Sequence, residues 1–400
     1  MRILTVSNCP ALEYLGSGYV IANFAKGLCK LGHEVDLLQP DDYEVCQSLR
    51  PRANSYRQAV GMFLSVKRAL RRQRYAIVEF WGGEAWPATR WLAKSEWHRP
   101  MIVQHTNGPE PRYNRMLQEA GVLEFTAVQS WHAEKLVPQA FRCADAIVAV
   151  SEYDRVWLAE HELPESGRRH AIEVPLPDCF LHRPRKTRET RIIGFCGTWL
   201  PKKGTGIIVP DITRLLREFR EWGFLVLGTN PKDQVESCFP ADIRQRIKVM
   251  PMITDKETLA QQYEQMEIFV LPSLIESFGV ALAEAMACGC AAVTTPVGLG
   301  ASLVDGRHAL LLQKAESPRL YEAVKRLILS SELRQELGAA AWGRVQGLRW
   351  DNAARELAET YQRWLDEYRR AVSGVKMLRC ATQDNGTNLY PERNERSLPN

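Results

Sequence analysis

A chain of 400 residues and 45.5 kDa is long enough for about two or three domains with cores of their own, which excludes a small disulfide-stapled module. Its composition, 45% hydrophobic and 25% charged, lies near soluble globular averages and excludes both a fibrous repeat and global disorder. Lys and Arg outnumber Asp and Glu by 52 to 47, and a net charge of +5 over this length does not mark nucleic acid as the main partner.

The opening Met1-Arg2 runs straight into a short apolar strand at 2–7 and then Pro10, with no secretory apolar region. Val20, Ile21, Phe24, Ala25 and Leu28 next fall on one face of a helix that Gly32 stops. Residues 35–38 read as a second strand, so the opening forms a parallel strand, helix, strand unit. The loop Leu15-Gly16-Ser17-Gly18 lets backbone approach a ligand closely. It lacks the third glycine of a dinucleotide fingerprint and the Lys of a P-loop, which disfavours an NAD-dependent enzyme. Further strands are expected at 76–80, 101–104 and 146–150 with helices between them, the pattern of a doubly wound sheet. Pro175, Pro177, Pro184 and the charged run 183–191 read as a hinge. A second alternating series follows, with strands at 192–196, 224–227, 247–250, 268–271, 291–294 and 309–312, and helices over 318–329, 331–346 and 353–371. The expected division is 1–185 for a first Rossmann-like domain, 192–355 for a second, 356–372 for a closing helix and 373–400 for a loose tail. Asn385-Gly386-Thr387 in that tail reads as a chance glycosylation sequon. The ten cysteines are scattered without a C-x-x-C pair, as in a reduced cytosolic chain. No apolar run approaches the ~20 residues that span a bilayer, so membrane contact is expected only at the surface.

Two sheets facing each other leave a cleft at their carboxyl ends, where open α/β sheets bind ligands. Chemistry concentrates there in residues 271–289. A strand ending near Leu271 leads into a loop carrying Glu276, then a helix opening near Phe278 and Gly279, whose free N–H groups and dipole form an anion site. Glu276 and Glu284 stand on either side of such an anion as directional acceptors for hydroxyls. Taken alone, the pair is also compatible with an ordinary helix start. Lys202-Lys203 reads either as a phosphate contact or as a solvated turn. No Asp-x-Asp accompanies a strand end, so no metal is expected and a phosphate would be neutralised by lysine and helix dipole.

The run Glu276-Ser277-Phe278-Gly279, with Glu284-Ala285-Met286-Ala287-Cys288-Gly289 after it, resembles the paired-glutamate motif of retaining glycosyltransferases of family 4, whose GT-B fold sets two Rossmann-like domains across a cleft. The resemblance covers residues 2–371 and takes in the Gly16 loop, Gly32-His33-Glu34-Val35, the 197–204 segment, Thr295-Pro296-Val297-Gly298 and Trp350. It implies transfer of a sugar from a nucleoside diphosphate sugar to a hydroxyl of a glycan, lipid-linked glycan or small molecule, with retention and without a cofactor, the 1–185 domain on the acceptor side and the 192–355 domain on the nucleotide-sugar side. It further implies that Glu284 holds the donor ribose and that Glu276 lies beside the donor sugar's hydroxyls. The amides of Gly279 and Val280, beside Ser277 and Phe278, would meet the diphosphate, and Gly16 and Gly197 would bring backbone to the donor. Lys203, assisted by Lys202, would neutralise charge growing on the leaving phosphate, and His105 would position the donor sugar. Two departures from the family pattern are visible. Thr198 stands where an arginine is usual, and Leu15 replaces the first glycine of a pair. They leave room for a second reading, a catalytically silent relative that serves as a nucleotide-sugar-binding scaffold.

Residues 49–74 hold eight basic and no acidic side chains, with Ala59, Met62, Phe63, Val66, Ala69 and Leu70 on one helical face. The basic side is either a solvated face or a surface for anionic lipid. Trp81, Trp86, Trp91 and Trp97 follow, beside Glu84. They read as core or as aromatic faces for sugar rings, with Glu84, Trp81 and Trp86 as acceptor candidates. Together these readings describe a cytoplasmic enzyme of polysaccharide biosynthesis, or one peripheral to the inner membrane face.

Overall fold

The computed structural model describes residues 1–12, 16–43, 54–95, 99–181, 183, 189–229, 232–313 and 319–384. Leu15, Trp97, Pro184, most of the 183–191 run and the 385–387 sequon lie outside them. In the first half, β1 (Arg2–Ser7), β2 (Glu34–Leu38), β3 (Ile77–Trp81), β4 (Met101–Thr106), β5 (Ala146–Ala149) and β6 (Arg169–Ala171) form one sheet in the order β2-β1-β3-β4-β5-β6. All its pairs are parallel. The crossovers carry α1 (Gly16–Lys30), α2 (Asn54–Arg72), α3 (Trp86–Ala93), α4 (Glu110–Glu119), α5 (Ala127–Trp131), α6 (Val137–Arg142) and α7 (Glu152–Glu160). Helices on both faces bury β3, β4 and β5 along their whole length, which is why these strands read as unbroken apolar runs.

After α8 (Asp178–Leu181), a second parallel sheet holds β7 (Ile192–Cys196), β8 (Gly223–Leu227), β9 (Ile247–Met250), β10 (Ile268–Leu271), β11 (Ala291–Thr294) and β12 (Leu310–Leu311), in the order β12-β11-β10-β7-β8-β9. Its helices are α9 (Thr205–Glu218), α10 (Lys232–Glu236), α11 (Lys256–Tyr263), α12 (Val280–Ala287), α13 (Arg319–Leu329), α14 (Ser331–Val345) and α15 (Trp350–Asp384). The expected strands are all present. β6 is an addition, a half-buried Arg-His-Ala edge strand whose composition carries no apolar signal.

The chain end differs from expectation. The closing helix begins at Trp350 rather than 356 and runs on to Asp384 rather than loosening at 373. Residues 375–384 contain neither glycine nor proline, so nothing in them breaks the helix. α15 returns to the first sheet's side of the molecule and packs on α1, where a Cβ at Gly27 would come within 2.5 Å of the Ala354 Cβ. Trp350 Nε1 donates to the Tyr19 hydroxyl at 2.6 Å, and its ring stands edge-on to Phe24 at 5.1 Å. Arg168–Glu367 and His170–Glu356 pairs hold the helix to the β6 region. One core cluster therefore runs from Ile3 and Phe24 through Phe180 to Tyr263 and Tyr361, joining both halves. A second fills the other face of the first sheet around Leu4, Val6, Met62, Phe80, Ile102 and Phe141. Ile3 and Leu4 enter different clusters because successive strand side chains point to opposite faces.

Candidate active site between the two sheets

The carboxyl ends of the sheets border a cavity of about 450 Å³, reached from the first half by Gly16, Ser17 and Asn107 and from the second by the loops after β7 and β10. β10 ends at Leu271, and the loop that follows turns into α12 at Gly279, whose φ of +93° favours glycine. No side chain caps α12, so its first N–H groups are left for an anion in the cavity. The close approach of Gly298 supports this turn from behind, with Leu299 N–H donating to Phe278 O at 2.6 Å.

Glu276 Oε1 is 2.6 Å from Lys203 Nζ and accepts the Ser273 hydroxyl at 2.8 Å. Glu284 sits on the second turn of α12, 3% exposed, with Oε1 3.1 Å from Lys256 Nζ and Oε2 accepting the Tyr263 hydroxyl at 3.0 Å. Beneath it, burial and then the Glu284 charge push the Cys196 thiol up to about 12, so this cysteine is a neutral wall of the cavity. Lys203 stands on a short 3-10 turn that ends in Gly204 at φ +79°, against Pro272. The Ser277 hydroxyl crosses the cleft to donate to the Asn107 carbonyl.

Of the residues singled out from sequence, Gly16, Gly197, Lys202, Lys203, Glu276, Ser277, Phe278, Gly279, Val280 and Glu284 all border this one cavity. Lys256 and Tyr263 were missed. They belong to α11, and no local spacing signals that it brings them to Glu284.

His105 is not brought to the cavity. β4 runs on through Thr106, so His105 stays paired inside the sheet opposite Trp81 and Val148. It is 1% exposed, with Nε2 2.5 Å from the Tyr361 hydroxyl of α15 and 3.5 Å from Glu79. Tyr361 also donates to Glu79, and the Thr5 hydroxyl reaches Glu79 at 2.6 Å. Burial alone would raise the Glu79 carboxyl, but His105, with Thr5 and Tyr361, holds it below its ordinary value. Asn107, two residues later and just past the end of β4, is the residue of this segment that borders the cavity.

Trp81 is likewise core, stacked on His105 at 4.1 Å. Trp86 packs against the second core cluster, and Trp91 stands edge-on to Phe63 at 5.7 Å. The three described tryptophans of the cluster are thus mainly packing, and only Glu84 of the acceptor candidates lies in a polar group of side chains, with Asn8 Nδ2 donating to it at 3.1 Å.

Comparison with known proteins agrees with this geometry. Residues 15–172 match the family described as Glycosyltransferase Family 4, and residues 190–330 match Glycosyl transferases group 1. The D-inositol 3-phosphate glycosyltransferase of Actinosynnema mirum is 34% identical over 319 residues, covering 70% of this chain and 71% of that protein. The chain belongs to glycosyltransferase family 4. A relative of the same name from Jonesia denitrificans is 27% identical over 304 residues, covering 68% of each chain. Among solved structures, sucrose-phosphate synthase of Thermosynechococcus elongatus superposes with a TM-score of 0.74 at 16% identity, covering 92% of this chain and 100% of that one. HepE of Anabaena in complex with UDP gives 0.64 at 15% identity, covering 90% and 100%. These likenesses establish the fold as GT-B. The family 4 enzyme described here has no helix among its described residues long and apolar enough to cross a membrane.

Proposed function

We propose that this glycosyltransferase moves a sugar from a nucleoside diphosphate sugar to a hydroxyl acceptor with retention of anomeric configuration, holding the donor in the cavity between the sheets. The observation that carries the reading is that Glu276, Glu284, Lys203 and the uncapped start of α12 all border that cavity. Glu284 is the ribose grip. Lys256 and Tyr263 orient its carboxylate, leaving further lone pairs to accept the ribose hydroxyls. The diphosphate lies against the amides of Gly279 and Val280, with Lys202 and Lys203 beside it. Lys256 supplies a third ammonium group where Thr198 stands in place of an arginine.

As the anomeric C–O bond to phosphate breaks, negative charge grows on the leaving oxygen, and Lys203 turns toward it from Glu276. Glu276 holds the donor sugar's hydroxyls. The acceptor oxygen approaches on the same face, forms the new C–O bond and gives its proton to the departing diphosphate. The ammonium groups carry the charge balance, so activity is expected to survive EDTA.

Thermal unfolding of the wild type and Glu284→Ala with saturating UDP, GDP, ADP, dTDP and CMP tests the donor site. A ligand at 100 times its Kd adds ~2.7 kcal/mol to native stability. One nucleotide is expected to protect the wild type and not the variant; protection by none removes the donor site, and with it the transferase reading of this cavity. NMR of the product is expected to show the donor's anomeric configuration, and an inverted product overturns the mechanism.

The same proposal extends to an anionic membrane surface, where a lipid-linked glycan intermediate of polysaccharide assembly would be met. On α2, Val60 and Leu64 are 42% and 41% exposed, in line with the exposed Arg68, Arg71 and Arg72. Salt-sensitive sedimentation with anionic liposomes is expected, and its absence removes the membrane from the proposal.

A further inference from the structure

We infer that the acceptor taken by this enzyme is an uncharged polyhydroxylated ring, held by Glu84, Glu110 and His132, and not the phosphorylated cyclitol for which its curated relatives are named. The inference rests on the glycosyl-transfer reading above. Segments leaving the carboxyl ends of β1, β3 and β4 bring Asn8, Glu84 and Glu110 together. Gly82, at φ +102°, turns the chain after β3, and a side chain there would strike Asn8 and Glu84. Asn8 holds one oxygen of Glu84, and the Gly83 N–H holds Glu110 Oε1 at 2.9 Å. Asn107, three residues before Glu110, borders the donor cavity, and Tyr113, three residues after Glu110, hydrogen-bonds Ser277 of the cavity lining.

Two buried polar atoms in the group have no partner. One is Glu110 Oε2. The other is Nε2 of His132, a residue 9% exposed that arrives from the π turn after α5 with its ring 4.5 Å from that of Tyr56 on α2. Buried polar atoms are paired in native proteins unless water or a ligand completes them. Two such atoms from separate elements, beside a carboxylate and flanked by residues that reach the donor cavity, are places for hydroxyl groups. Among the described residues, no group of three or more His, Cys, Asp and Glu side chains is arranged to hold a metal ion.

The surrounding charges decide which ring fits. Glu110 faces Glu84 and, from α7, Asp154, which is itself paired with Arg112 at 3.2 Å and hydrogen-bonded by Tyr113. Burial first, then the Glu84 charge, push the Glu110 carboxyl up to about 8. Burial lowers His132, against the pull of Glu84. Around neutral pH the group therefore presents a carboxylic O–H, a neutral imidazole and one carboxylate. Arg112 is committed to Asp154 and stacks over Tyr153 at 3.7 Å. Ring hydroxyls match such a mixture of donors and acceptors, whereas a phosphate dianion would stand against the Glu84 charge.

The test uses the full chain saturated with the nucleotide that protects it, titrated calorimetrically with glucose, mannose and myo-inositol and with glucose 6-phosphate, mannose 6-phosphate and D-inositol 3-phosphate. At least one uncharged probe is expected to bind, and its phosphate to bind at least roughly tenfold more weakly. Affinity for the uncharged probe is expected to fall roughly tenfold between about pH 7 and about pH 9, as Glu110 loses its donor proton. Glu110→Gln, which keeps an N–H donor, is expected to flatten that profile, and Glu84→Gln to narrow the gap between each probe and its phosphate. A phosphate that binds as tightly as its parent, no uncharged probe binding while nucleotide does, or a pH profile unchanged in Glu110→Gln overturns the inference. Failure of every nucleotide to bind strikes the donor reading instead and is seen before any acceptor is added.

Discussion

Glu284 divides its carboxylate between Lys256 and the buried Tyr263 phenol, so removing it strands a polar group as well as the proposed sugar contact. Glu284→Ala is expected to lose about 1–3 kcal/mol of unfolding free energy in urea even without nucleotide, while Glu284→Gln, which keeps an acceptor for the phenol, loses less. Asp154 provides a pH test of the fold. Burial raises its carboxyl to about 7, against the pull of Arg112 and Tyr113, and an unfolded Asp titrates near ~3.9. Between these values the native state binds more protons than the unfolded chain, so stability falls as pH rises through that window. Glu110 acts with the same sign. Glu79, held low, acts oppositely, contributing stability that is lost as pH falls through its native pKa. The urea midpoint is therefore expected to be higher near about pH 5 than near about pH 8, and Asp154→Asn to shrink that difference. At this scale the glutamate loop was legible because Glu276, Glu284 and the helix start between them are local in sequence. Lys256, Tyr263, Glu110 and His132 were not, since each meets its site only through tertiary packing. His105 was misplaced because two further residues of pairing keep it within the sheet, a boundary that apolar pattern does not mark.

Among the elements, central strands were readable as apolar runs because both their faces are covered, whereas the polar edge strand β6 was not. The last helix shows the limit of periodicity. In sequence, residues 373–384 read together with the Asn-, Pro- and charge-rich stretch after them, yet 375–384 hold no glycine or proline to break the helix. What lets α15 approach α1 this closely is the absence of a side chain at Gly27. Gly27→Val is expected to force the two helices apart at a cost of about 1–3 kcal/mol. Pairing it with Ala354→Gly is expected to recover part of that loss, and thermal melts of the two single variants and the double variant measure the coupling.

For the molecule as a whole, the two-domain layout was legible from two successive alternating series, but the continuity of their cores was not. The main cluster passes from the first sheet through α8 and α15 to the second, and Arg344–Glu173 and the Leu176–Leu348 backbone bond add polar ties. The full chain is accordingly expected to unfold in one calorimetric transition. Removing residues 350–400 would uncover Phe24 and take the Tyr361 hydroxyl from Glu79 and His105, and is expected to split or sharply lower that transition.

The ion pairs of the donor cavity also bear on how substrate arrives. Among its described lining residues three ammonium groups, on Lys202, Lys203 and Lys256, face two carboxylates, on Glu276 and Glu284, leaving a single net positive charge. Long-range attraction for an anionic nucleotide is therefore slight, and strong electrostatic steering is replaced by contacts made only once the ligand is seated. The association rate of donor should change little between dilute and physiological ionic strength, with affinity set by how slowly it leaves.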